Sequence, residues 1–291
     1  MQYQGTVIRP PSEAHSIILQ VTLGCSHNRC TFCGAYRDKA FAIRPLSDIY
    51  QDLDFARVHC RRQKTLFLAD GNALVLPSGQ LIDLLTEIRA RLPWVRRISL
   101  YGGCRDILAY DGHGLRRLKE LGLGRIYMGL ESGDDRVLAR VNKGATGREM
   151  VAAGRLVRDV GIFLSVTCLL GLAGSEPDTS LAHACETAAI LNKMQPSQIA
   201  VLTLMLLENT PLGKEAATGQ FAMPTKRQLF LELQALIREL ADFRTQFQAN
   251  HASNYFQLDG RLPRDRQRFL AIIDQVLSGN KPLKPEAMRA L

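Results

Sequence analysis

The chain has no uninterrupted apolar run near the roughly 18 residues that a membrane span requires, and its first residues, MQYQGTVIRPPSEAHS, lack the basic-then-apolar build of a secretory signal. Both absences make the cytoplasm the expected compartment. A disulfide framework is missing too: the seven cysteines are an odd number, and Cys60, Cys104, Cys168 and Cys185 are scattered singly. Those four read as small buried hydrophobes. Acidic residues are in deficit, 28 against 37 basic ones, for a formal charge of +9. Lysine and arginine are nevertheless spread through helical segments instead of gathered in one block. That is the pattern of solvated helix faces more than of a dedicated nucleic-acid patch, although RNA stays admissible on charge. No linker or low-complexity stretch interrupts a 46% hydrophobic composition that can bury a large core.

Against this plain background the stretch from Ile17 to Phe41, IILQVTLGCSHNRCTFCGAYRDKAF, stands out. It sets Cys25, Cys30 and Cys33 on one short loop directly after a β-like apolar run. Soft sulfur ligands at C-x4-C-x2-C spacing suit zinc or an iron–sulfur cluster. A structural zinc site closes with four ligands, which His27 could complete, whereas a four-iron cluster on three cysteines leaves one iron open.

The rest of the chain repeats a strand-then-helix rhythm. Residues 1–15, with Pro10 and Pro11 adjacent, form a leading arm. Strand-like segments follow at Ser16–Leu23, Thr65–Ala69, Arg97–Tyr101, Arg125–Leu130, Gly161–Leu170 and Gln198–Leu207. Helical spacing appears between them, as at Ile49, Leu53 and Ala56, and again at Leu81, Leu84, Leu85, Ile88 and Leu92 after a capping Ser78. Such alternation implies parallel βαβ units, in a doubly wound sheet or a barrel. From about Thr225 the pattern becomes one long amphipathic helix, QLFLELQALIRELADFRTQF, with Leu229, Leu233, Leu236 and Leu240 in a stripe; then come a polar loop and a shorter helix from about Arg264 to Leu277. The loop concentrates His251, Ser253, Asn254, Tyr255, Arg261 and Arg264 where no core demands them, either as a lid over a substrate or as a solvated connection in which Asn250 or Ser253 ends one helix and Asp265 begins the next.

The strand, the three clustered cysteines and Phe32 just before the last of them resemble the signature of the radical S-adenosylmethionine (SAM) superfamily, with one residue more than its commonest first spacing. Within it, RIYMGLESGDDRVLARVNKG is similar to the oxygen-independent coproporphyrinogen oxidase-like and methylthiotransferase-like branch. The resemblance implies an α/β fold, a partial (β/α)6 TIM-like barrel over residues 16–215 with a helical extension over 216–291, and chemistry at the C-terminal strand ends. It implies a [4Fe–4S] cluster on Cys25, Cys30 and Cys33, whose electron splits SAM into methionine and a 5′-deoxyadenosyl radical that takes hydrogen from substrate. Asp70, Gly71 and Asn72 then fall where the family approaches the methionine amine, although the same residues also make plain turns. Glu131, followed by Ser132, meets ribose; Lys143 meets the methionine carboxylate; Leu170 and Gly171 lie near adenine. Tyr36 and Tyr101 join His251, Asn254 and Tyr255 as substrate-pocket candidates. The expected partners are a small-molecule substrate and an electron donor such as flavodoxin or ferredoxin. Porphyrinogen chemistry is disfavoured, because Ala35 replaces that group's fourth cysteine.

Overall fold

The computed structural model describes residues 1–290. Its strands are β1 (Ile17–Gln20), β2 (Thr22–Leu23), β3 (Ala42–Ile43), β4 (Thr65–Ala69), β5 (Arg97–Tyr101), β6 (Leu123–Glu131), β7 (Phe163–Leu170), β8 (Gln198–Thr203), β9 (Thr245–Ala249) and β10 (Leu258–Leu262). Its helices are α1 (Leu46–His59), α2 (Ser78–Arg91), α3 (Cys104–Leu108), α4 (Gly112–Glu120), α5 (Asp135–Arg140), α6 (Gly147–Asp159), α7 (Pro177–Met194), α8 (Pro211–Ala217), α9 (Lys226–Glu239) and α10 (Arg266–Leu277). Among the described residues no helix is long and apolar enough to cross a membrane.

One eight-stranded sheet runs β1-β4-β5-β6-β7-β8-β9-β10, and β2 pairs with β3 in a small antiparallel ribbon. The pairs β1–β4, β4–β5, β5–β6, β7–β8 and β8–β9 are parallel, and β9–β10 is antiparallel. Short parallel strands separated by helices follow from the alternation of apolar β runs with 3.6-period segments. The sequence places most elements within a few residues. Pro77, not Ser78, stands at the N-cap of α2, and no side chain caps that helix.

The C-terminal region departs from expectation. The helix expected to run through LADFRTQF ends at Glu239, and residues 245–249 form β9. The cause is a change of period: Thr245, Phe247 and Ala249 are buried while Gln246 and Gln248 are half-buried, an alternation of two that only a strand satisfies. Phe247 then meets Phe269 of α10 at 5.5 Å between ring centroids. The polar loop expected at 250–265 likewise contains β10, where Leu258 and Leu262 are buried. The 216–291 extension therefore adds two strands as well as helices.

The chain divides into two compact units. The first comprises Met1–Asn28, Cys33–Met128 and Leu156–Leu164; the second comprises Arg29–Phe32, Gly129–Arg155 and the chain from Ser165 on. In the first, Phe67 and Ala69 share one sheet face with Tyr127, packed with Ile18, Tyr101 and Val7 of the arm. The arm's base is fixed by Glu13, a fully buried carboxylate that takes Arg97 at 3.1 Å and the Tyr127 hydroxyl at 2.6 Å. In the second, Val137, Val141, Leu172, Leu204, Leu212 and Phe221 form a cluster against which Phe32 packs.

Candidate active site

The cysteine loop is shaped by local chemistry. Gly24 precedes it at φ +68, a conformation that glycine adopts without strain, and its carbonyl accepts from Gly71 N–H at 3.1 Å. In the first unit, Asn28 donates to the Tyr36 carbonyl at 2.8 Å and Arg37 Nε donates to the Cys33 carbonyl at 3.0 Å. In the second, Thr31 N–H bonds Val141 O at 2.9 Å and Thr31 O takes Leu212 N–H at 3.0 Å, while Phe32 anchors in apolar surroundings. Cys25, Cys30 and Cys33 are all half-buried. Among the described residues no three His, Cys, Asp or Glu converge on one metal ion. A four-iron cluster makes no such demand, because each thiolate binds a different iron.

At the end of β4, Asp70 is fully buried. Its Oδ2 takes Lys39 Nζ and Gln20 Nε2, each at 3.4 Å, while its Oδ1 has no hydrogen-bond partner. The Tyr36 hydroxyl is also buried and makes no hydrogen bond of ordinary geometry, although it stands toward Asp70. Burial, followed by the Asp70 charge and the approach of its carboxylate, pushes that phenol far above its usual range. Gly71 leaves no room for a side chain: a Cβ there would meet Tyr36 Cε2 at 2.6 Å and Cys25 Cβ at 3.0 Å. A buried acceptor without a donor, beside a backbone that must stay bare, is the chemistry of a site for an ammonium group. Asn72 is committed otherwise, with Nδ2 on Ser26 Oγ (2.8 Å) and Asp106 Oδ2 (2.6 Å) and its carbonyl on Gly103 N–H (3.0 Å). It ties the cysteine loop to the β5 turn. Tyr101 lies edge-on to Phe67 and Tyr127 at 5.2 and 5.8 Å.

In the second unit, Glu131 ends β6 at φ +66, a left-handed conformation that costs a non-glycine residue about 1–3 kcal/mol. Its Oε1 pairs with Lys143 Nζ at 3.0 Å, so the residues expected to meet ribose and carboxylate separately hold each other. Gly129 makes space for the pair, since a Cβ there would lie 2.0 Å from Glu131 Oε1 and 2.8 Å from Lys143 Nζ. Ser132 is fully buried, 2.7 Å from His183 Nδ1, and His183 Nε2 faces both Leu169 O (3.1 Å) and Glu232 Oε1 (3.3 Å). Glu232 also accepts from Gly171 N–H (2.9 Å) and Ser180 Oγ (2.6 Å). Two acceptors around Nε2 require that it carry a proton. Gly171, at φ +84, lies where a Cβ would strike Leu229 Cδ2 at 2.8 Å, and Leu170 is buried beside it.

Sequence reasoning missed His183 and Glu232. Their signal was a polar residue on an apolar helix face, for Glu232 directly against the Leu229, Leu233 and Leu236 stripe. It also missed Lys39 and Gln20. The candidates in the 251–255 loop do not stand free. Asn254 donates to Val201 O and accepts from Thr203 Oγ1, both at 2.8 Å, and the Tyr255 hydroxyl donates to Glu286 Oε2 at 2.7 Å under the Arg289 guanidinium. His251 Nδ1 meets Ser253 Oγ at 2.9 Å, and burial followed by Lys284 lowers its pKa. Arg264 is exposed and pairs with Asp265 at 2.8 Å, and Arg261 is exposed too.

Known proteins resemble this chain in sequence and in fold. Anaerobilin synthase of Escherichia coli O157:H7 is 22% identical over 231 residues, 74% of this chain and 49% of that protein. A second relative, 4'-phospho-dehydrooxetanocin synthase of Priestia megaterium, is 30% identical over 173 residues, 52% of this chain and 23% of its own. Among solved structures, the radical SAM enzyme coproporphyrinogen III oxidase from Escherichia coli superposes with a TM-score of 0.56 at 21% identity, covering 77% of this chain and 51% of that one. The chain thus spans about half or less of the length of these relatives. With the solved structure the chain shares the partial β/α barrel fold. The model of the radical SAM superfamily matches residues 19–183, more than half of the chain, and on that match, with the cysteine loop inside it, the chain belongs to the radical SAM superfamily.

Proposed function

We propose that this chain is a radical SAM enzyme in which Cys25, Cys30 and Cys33 hold a [4Fe–4S] cluster and the strand-end residues bind SAM. The observation that carries the reading is Asp70, a fully buried carboxylate whose Oδ1 lacks a donor, next to Gly71, where a Cβ would press on Cys25. An α-amino group supplies the missing donor with its charge. When bound, the cluster supplies one electron to SAM, and the resulting 5′-deoxyadenosyl radical takes hydrogen from a substrate.

This chain's own residues bind and orient. Asp70 Oδ1 takes the amine, and Asn72 keeps the cysteine loop on the β5 turn. Glu131 accepts from a ribose diol and Lys143 pairs with the carboxylate, each from a conformation fixed by the other. Ser132 and Gly171 are held by the His183–Glu232 network and, with Leu170 beside Gly171, form the nucleoside end; Phe32 sets the depth of its half of the loop. Tyr36 and Tyr101 are proposed to meet the substrate, a small molecule. Asn254 and Tyr255, committed to β8 and the C-terminal tail, brace the second unit with His251 beside them. A low-potential donor such as flavodoxin or ferredoxin supplies the electron, and a reducing cytoplasm suits the three half-buried thiolates.

The test is anaerobic. Protein reconstituted with iron and sulfide is reduced with dithionite, given SAM alone and assayed by mass spectrometry for 5′-deoxyadenosine, with Cys30→Ala as control. Cysteine-dependent product is the expected result. Failure of the wild-type chain to assemble any iron–sulfur chromophore refutes the reading.

A further inference from the structure

The Asp70 site does not end at Asp70. Lys39 Nζ, 3.4 Å from Asp70 Oδ2, also donates to the backbone carbonyl of Thr6 in the N-terminal arm. Gln20 makes a second link of the same kind: its Nε2 reaches Asp70 Oδ2 at 3.4 Å and Gln4 O at 3.2 Å, and its Oε1 accepts from Gln4 N–H at 2.9 Å. Between these two bonded residues, Gly5 sits at φ +67 with the Lys39 side chain against it, so that a Cβ there would fall 2.8 Å from Lys39 Cε. Gly24 also adjoins Lys39, at ordinary contact: a Cβ there would stand 3.5 Å from Lys39 Cβ. The lysine therefore passes close against Gly5 to a carboxylate that has no solvent contact. Its ammonium lies 5.7 Å from the Tyr36 ring centroid.

The division of labour on the carboxylate is what makes this informative. Both protein donors fall on Oδ2, and Oδ1 is left open although it is fully buried. An ionised carboxylate has about four acceptor positions, so an incoming ammonium can take Oδ1 without displacing Lys39. Without Lys39 and Gln20 nothing in the arm or the loop would fix which oxygen of the carboxylate faces the open side.

We propose that Lys39 and Gln20 are positioning residues that hold Asp70 with Oδ1 presented to the SAM amine and, through Thr6 and Gln4, couple the N-terminal arm to that site. The inference rests on the SAM reading given above and adds a linkage to it. A group bound at Oδ1 fixes the carboxylate with Oδ2 turned to Lys39 and Gln20 and so orders residues 4–7; by reciprocity, an ordered arm tightens SAM binding by the same factor. Val7 carries the coupling further, because it packs against the cluster of Phe67, Ala69 and Tyr127 in the first unit.

Hydrogen exchange resolved by mass spectrometry on residues 1–10, with and without SAM under non-reducing conditions, tests the linkage on the reconstituted protein. SAM should slow exchange in residues 4–7 by at least about fivefold in the wild type. In the cofactor-free protein, Lys39→Met should speed exchange in the same residues. Equilibrium dialysis should show SAM binding about tenfold weaker in Lys39→Met and about threefold or more weaker in Gly5→Ala, which removes no polar group of the site but crowds Lys39 from the arm. If SAM binds the wild type but arm exchange moves less than about twofold and Gly5→Ala binds normally, the coupling is refuted and the SAM reading stands. If the wild type with an assembled cluster does not bind SAM, both fall.

Discussion

Replacing Glu232 with alanine should be among the most destabilising single changes in the second unit. The carboxylate is fully buried and holds three groups: Gly171 N–H at 2.9 Å, Ser180 Oγ at 2.6 Å and His183 Nε2 at 3.3 Å. Removing one partner of a buried pair costs about 3–5 kcal/mol, and a buried donor left unpaired costs about 1–3 kcal/mol more. These terms overlap, so about 4 kcal/mol is expected for Glu232→Ala and about half of that for Glu232→Gln. The effect should also depend on pH. Burial, the largest single influence on His183, acts to lower its pKa, but the Glu232 hydrogen bond and charge together with the Leu169 carbonyl outweigh it, and the net direction is upward. A folded-state pKa above the unfolded value contributes stability that is fully present below about pH 6.5 and is lost as pH rises through the folded value. The stability gap between wild type and Glu232→Gln should therefore be widest near pH 6 and shrink toward alkaline pH, by at most about 1.4 kcal/mol per unit for one proton. Urea unfolding of the cofactor-free proteins at several pH values measures both quantities. A Glu232→Ala cost below about 1 kcal/mol, or a gap that widens as pH rises, would refute the reasoning.

Gly129→Ala should separate Glu131 from Lys143, because its Cβ would lie 2.0 Å from one and 2.8 Å from the other. SAM affinity, measured by equilibrium dialysis, should fall about tenfold or more. Gly71→Ala forces a Cβ to 2.6 Å from Tyr36 Cε2 and should cost about 1–3 kcal/mol of overpacking, read as a lower thermal midpoint. Phe32→Ala removes a ring from the cluster of Val137, Val141 and Leu212; iron bound after reconstitution and desalting should drop well below wild type while the circular dichroism spectrum is retained. Glu13→Gln leaves Arg97 without its buried counter-charge and should cost about 3 kcal/mol by urea unfolding.

The parallel strands and the cysteine loop were legible because each announces itself locally. A run such as TLFLA ending at Asp70-Gly71-Asn72 signals both a strand and its turn. Three thiolates on one loop need no tertiary information to suggest a cluster. What escaped was set by packing across the chain. In TQFQA the glutamines match a solvated helix face as well as they match a strand, and only the burial of Phe247 against Phe269 decides for the strand. Sequence spacing placed Asp70 at a site but could not show that both of its protein donors fall on one oxygen, since Lys39 and Gln20 lie 31 and 50 residues away in sequence. That asymmetry matters more for function than the identity of the residue. A carboxylate satisfied on both oxygens would be a structural brace, as Glu13 is with Arg97, Tyr127 and Ser16. One satisfied on a single side, buried and beside a glycine that cannot be filled, still has an oxygen that calls for a donor.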